Sequence, residues 1–99
     1  MRSLTGAAVL AGAVVMAGCS GSSGLTGREL YEQSCASCHG GLGGGGVGPA
    51  LDAGSGAASL TDEQIAGVIR VGPGSMPGFG RLTDEQIDSL VEYIRTLQE

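Results

Sequence analysis

The sequence predicts a small all-α domain. Three segments open with helix start signals, and the second and third are followed by apolar residues three and four apart. No stretch alternates apolar and polar residues as a half-buried strand does.

Ahead of the domain, residues 1–18 read as an export signal. Arg2 supplies a positive start, and residues 4–17 form an apolar run rich in Ala, Gly and Val. That run is too short to span a bilayer, which takes about 20 apolar residues, and it ends in the small residues of a cleavage site. Met16-Ala17-Gly18-Cys19 resembles a bacterial lipobox, in which the cysteine is lipidated and becomes the new N-terminus, here with Met where Leu is commonest. Ordinary signal-peptidase cleavage and an uncleaved anchor are the alternatives. Residues 20–24 are Ser and Gly, so residues 19–25 form a lipidated cysteine and a tether reaching on the order of 10–15 Å. The folded domain is residues 26–99, a size at which a purely side-chain core is marginal.

The first helix starts at Thr26, with Glu29 placed to complete a capping box, and it is expected to run into Cys35-Ala36-Ser37-Cys38-His39. C-x-x-C-H is the attachment signature of a c-type haem: two thiols add across vinyl groups and the adjacent imidazole binds iron. His39 is the only histidine, so the first axial ligand has no competitor. The three cysteines are then all assigned, Cys19 to lipid and Cys35 and Cys38 to haem. Residues 40–48 are mostly glycine and form no regular element. Such density permits close backbone approach, either to a flat cofactor or in a plain mobile loop.

The second helix opens with Leu60-Thr61-Asp62-Glu63-Gln64-Ile65, where Thr61 is the cap and Gln64 the third helical residue. Ile65, Val68 and Ile69 form its apolar stripe, and Gly72-Pro73 ends it. The third helix repeats the signal as Leu82-Thr83-Asp84-Glu85-Gln86-Ile87, with a longer stripe of Ile87, Leu90, Val91, Ile94 and Leu97. The residues after the two copies differ, so the repeat is convergent capping rather than duplication. Between these helices, Met76 lies in the turn-rich run Gly72-Pro73-Gly74-Ser75-Met76-Pro77-Gly78-Phe79-Gly80. It is the one methionine outside the signal, and a loop can present its thioether to haem iron with Pro77 stiffening the presentation. His/Met ligation raises the reduction potential because the soft thioether favours ferrous iron.

With these motifs the chain resembles the small monohaem class I cytochromes c, particularly the bacterial membrane-anchored lipoprotein type, over nearly the whole domain. Gly27, Tyr31, Cys35, Cys38 and His39 follow that family's first-helix pattern, and Gly48-Pro49-Ala50-Leu51 its loop after the haem motif. The resemblance implies three to four helices wrapped around one covalently bound haem c, with His39 and Met76 as axial ligands. It implies that the Pro49 carbonyl accepts a hydrogen bond from His39, that Leu51 packs on the ring, and that Leu90 and Tyr93 cross the first helix near Gly27 and Tyr31. The lysine-rich face common in the family's mitochondrial members is missing, so partner identity does not carry over.

The implied role is that of a one-electron carrier and not an enzyme. It would sit on the outer face of a bacterial cytoplasmic membrane through its lipid anchor. Its donor in the respiratory chain would be a quinol-oxidising complex and its acceptor a terminal oxidase. Without residues 1–18, four arginines face ten acidic residues, a net charge of −6. Nucleic acid is an unsuited partner at that charge; the acidity either steers the domain to a basic docking patch or keeps it soluble. A haem peroxidase or gas sensor with an exchangeable sixth ligand is the alternative, although no second histidine serves as a distal acid–base group. Structural zinc wants four ligands where Cys35, Cys38 and His39 offer three, and a thioredoxin-like C-x-x-C needs a βαβ setting. Arg70 and Arg81 are candidate propionate partners, Phe79 a candidate haem contact, and Tyr31 and Tyr93 are read as core.

Overall fold

Two helices begin where local capping chemistry starts them in the computed structural model, which describes residues 24–99. The order is α1 (Gly27–Ser34), α2 (Ala36–His39), a 3-10 turn (Gly56–Ser59), α3 (Asp62–Val71) and α4 (Asp84–Leu97). The described residues contain no strand, so the all-α reading holds. Residues 1–23, with the expected signal, Cys19 and most of the expected tether, lie outside the described residues.

Both copies of the Thr-Asp-Glu-Gln signal form complete capping boxes. Thr61 Oγ1 accepts from the Gln64 N–H at 3.1 Å while Gln64 Oε1 accepts from the Thr61 N–H at 2.9 Å. Thr83 and Gln86 repeat this at 3.1 and 3.0 Å. Gln86 is buried and donates its amide to Leu25 O at 3.0 Å, so one side chain caps α4 and ties down the chain entering α1. Gly72 ends α3 in the left-handed conformation at φ 66°, bonding back to Val68 O.

The first helix departs from its sequence signal in two places. Thr26 makes no side-chain cap. Gly27 instead adopts φ 55° and donates its N–H to Ser89 Oγ of α4 at 2.9 Å. The first of the helix's orphan N–H groups is therefore satisfied by a residue 62 positions away rather than by a local side chain. The helix also does not run through the C-x-x-C-H motif. It breaks at Cys35 (φ −122°, ψ −33°), and the four-residue α2 starts afresh.

α4 is the spine of the domain, with α1 and α3 packed against it. Leu30 and Tyr31 from α1, Ile65 and Ile69 from α3, and Ile87, Leu90, Val91 and Ile94 from α4 form one buried cluster. Leu30, Tyr31, Ile87 and Leu90 are fully buried, each apolar side chain contributing about 1.5–3 kcal/mol. The Tyr31 and Tyr93 rings meet at 5.2 Å with a 51° tilt, and Leu90 packs in the same cluster. Tyr93 is only half-buried, whereas Tyr31 is core.

Candidate haem site

The break at Cys35 lets α2 carry Cys38 and His39 in a short helix of their own, closed by Gly40 at φ 88°. Tyr31 O–H reaches across the break and donates to Gly40 O at 2.7 Å, fixing the end of α2 to α1. Cys35 is buried, and that burial, with Cys38 beside it, pushes its thiol up to about 11; Cys38 is half-buried.

The glycine-rich segment is not a loose loop. The Gly45 N–H donates to His39 O at 2.7 Å, the Gly48 N–H to Cys38 O at 2.7 Å, and the Leu51 N–H to Gly43 O at 2.7 Å. These bonds wrap residues 40–51 around the end of α2. Gly48 is needed there: a β-carbon would lie 2.9 Å from His39 Cε1 and 3.1 Å from His39 Nδ1. The next residue orients the ring, since His39 Nδ1 lies 2.7 Å from Pro49 O. A carbonyl only accepts, so Nδ1 carries the proton and Nε2 is the nitrogen left for a metal. Leu51 is held at both backbone ends, its carbonyl accepting from Gln98 Nε2 at 3.0 Å.

One cavity of about 510 Å³ gathers these groups. Cys35, Cys38, His39, Pro49, Leu51 and Met76 all line it. The remaining wall is mainly apolar and includes Leu60, Ile65, Ile69 and Phe79, and no acidic or basic side chain other than His39 contributes. Its volume falls within the roughly 300–1,000 Å³ of cofactor pockets. Two thiols, one imidazole with its second nitrogen anchored, and one thioether on an apolar cavity fit a covalently attached haem. They suit zinc poorly: among the described residues, no group of three or more His, Cys, Asp or Glu side chains is placed to share an ion.

Met76 reaches the cavity from the run between α3 and α4. Its N–H bonds to Pro73 O at 3.1 Å in a turn, and the Phe79 N–H returns to Ile69 O at 2.8 Å. Arg70 and Arg81 do not line the cavity; Arg70 pairs with Asp84 at 2.9 Å and Arg81 is exposed. Sequence reasoning missed Gly48 as the spacer beside His39, the Tyr31–Gly40 bond, and the 3-10 turn whose Gly56 and Ala57 add to the wall. The small-residue run at 53–59 was the available signal for that turn, but it names no partner.

Residues 23–94 match the family described as "Cytochrome C oxidase, cbb3-type, subunit III". The chain is 44% identical over 70 residues to cytochrome c55X of Stutzerimonas stutzeri, spanning 65% of this chain and 62% of that protein. It is 33% identical over 72 residues to cytochrome c6 of Cyanidioschyzon merolae (strain NIES-3377 / 10D), spanning 69% of this chain and 68% of that one. The match thus extends over a little less than two thirds of the length of cytochrome c55X.

Proposed function

The chain belongs to this cytochrome c family and carries covalently bound haem c, and we propose that it is a membrane-tethered one-electron carrier of a bacterial respiratory chain. Haem c, when bound, supplies the ferric–ferrous couple. Cys35 and Cys38 would hold the group covalently through two thioethers. His39 Nε2 would bind the iron, with its basicity tuned by the Nδ1–H bond to Pro49 O. The Met76 thioether would be the second protein ligand to the iron, and Leu51 would pack against the group.

The observation that carries this reading is the meeting of Cys35, Cys38, His39 and Met76 on one apolar cavity. A wall without carboxylates or guanidinium groups disfavours the extra charge of ferric iron, as the thioether does. Both act in one direction and raise the potential. Electron transfer then needs no ligand to leave, so the chain's task is to hold geometry and exclude water.

For tethering, the support is sequence: the Met16-Ala17-Gly18-Cys19 lipobox and the Ser/Gly run behind it. Two acyl chains on Cys19 would anchor stably where one is marginal. The domain would then stay at the outer face of the cytoplasmic membrane, between a quinol-oxidising complex as donor and a terminal oxidase as acceptor. Tethering raises its local concentration near such partners without any new contact.

Carbon monoxide binding to the ferrous protein is the test, with Met76→Ala as the open-site reference. Wild-type protein is expected to bind it far more slowly than the variant. Equal binding would remove Met76 from the iron and return the exchangeable-ligand reading. Haem-linked peroxidase staining after denaturing electrophoresis checks the thioethers, and Cys35→Ser with Cys38→Ser together should abolish the stained band.

A further inference from the structure

We propose that Gly72 and Gly78 are positioning residues whose bare α-carbons form a latch, clamping the Met76 loop onto the end of α3 and so keeping the thioether on the haem iron. The inference rests on the reading of Met76 as distal ligand.

The loop has little else to hold it. Its fixed points are the Gly72 N–H on Val68 O at 2.9 Å and the Phe79 N–H on Ile69 O at 2.8 Å. Six residues lie between those points, and the bond from the Met76 N–H to Pro73 O stays within them. A chain so loosely bonded would sample many conformations, and each would draw population away from the ligated one.

Steric fit supplies the missing constraint. A β-carbon on Gly72 would strike Gly78 N and come within 2.5 Å of Met76 O and Pro77 C. A β-carbon on Gly78 would lie 2.8 Å from Val71 O and 2.9 Å from Arg70 O. All of these are backbone atoms, so no rotamer change can relieve the overlap. The two glycines therefore permit a backbone-on-backbone contact that brings both ends of the loop together around Met76. The other glycines of the run have no such role. Gly74 shares the left-handed conformation at φ 61° but has open space around it, and Gly80 meets only Arg70 O at 3.6 Å.

This pattern separates crowding from backbone strain. Gly78→Ala introduces crowding alone, Gly74→Ala left-handed strain alone, and Gly72→Ala both. In the haem-loaded full chain, three quantities are read: the far-red charge-transfer band of ferric iron bound to thioether, the rate of carbon monoxide binding to ferrous protein, and far-ultraviolet helicity. Wild type and Gly74→Ala should keep the band. Gly72→Ala and Gly78→Ala should lose most of it and bind carbon monoxide about tenfold faster or more, as expected when the open state becomes populated, with helicity unchanged.

If wild type lacks the band, the Met76 ligation itself falls, and the latch with it. If wild type shows the band and Gly78→Ala keeps both band and slow binding, the latch is overturned while Met76 stands. A loss in Gly74→Ala equal to that in Gly78→Ala overturns it too, because loop strain would then suffice. So does a Gly78→Ala protein that loses its helices, since the contact would be holding the fold and not the ligand.

Discussion

Changing Tyr31 to Phe removes one oxygen atom, and that atom joins the first helix to the haem-binding segment. The Tyr31 side chain is fully buried and its hydroxyl donates to Gly40 O at 2.7 Å, directly after His39. Gly40 is half-buried, so water partly replaces the lost donor, and the expected cost is about 1 kcal/mol. In a domain this small, that lowers the unfolding midpoint by about 4–8 °C. Tyr31→Ala also removes the ring that meets Tyr93 at 5.2 Å, and should cost about 4 kcal/mol. Denaturant unfolding of the haem-loaded protein measures both, and the slope should be unchanged for Phe. Alkali provides a second readout. Burial pushes the Tyr31 phenol from 10.0 up to about 12, so the unfolded chain gives up its proton first. The stability tied to the neutral phenol is complete below pH 10.0 and is lost as pH rises toward 12, a decline that Tyr31→Phe lacks. A Phe variant as stable as wild type would show that the hydroxyl bond contributes nothing, and one as unstable as Ala would show that the ring packing is misassigned.

Three further perturbations probe contacts that cross the chain. Ser89→Ala should cost about 1 kcal/mol by stripping the cap from the Gly27 N–H, with Thr26→Ala close to neutral; the reverse order in unfolding measurements would restore the local capping box. Gly48→Ala should displace the His39 ring, weaken its bond to Pro49 O and raise the reduction potential, because a less basic imidazole stabilises ferric iron less; an unchanged potential in a redox titration counts against it. Arg95→Ala should cost about 2 kcal/mol, mainly through the bond from its guanidinium to Leu60 O at 2.6 Å. That loss should persist in high salt, since only the pair with the exposed Asp62 is screened; a cost that vanishes with salt would assign it to the ion pair instead.

Signals acting within one helical turn were legible in the chain. Thr61 with Gln64 and Thr83 with Gln86 start helices through bonds spanning three residues, and Gly72 stops one through a single left-handed dihedral. The same local logic failed at Thr26, which makes no side-chain cap, while the first N–H of α1 is held by Ser89 from another helix. It also carried α1 through Cys35, where the structure breaks. The glycine run at 40–48 was ambiguous for a related reason: composition reports permission to bend and not the partners that the bend brings close.

By itself, the sequence determined the chemistry: two thiols and an imidazole at C-x-x-C-H spacing, one methionine after residue 18, and helices started by short-range caps. Only the tertiary structure decided how those groups are held. It put Gly48 against the His39 ring, Tyr31 on Gly40 O, Ser89 on the Gly27 N–H, and Gly72 against Gly78. Each of these is a contact between residues distant along the chain or an excluded volume at a missing β-carbon. Residue identity states what a group can do, whereas the space around it exists only once the chain has folded.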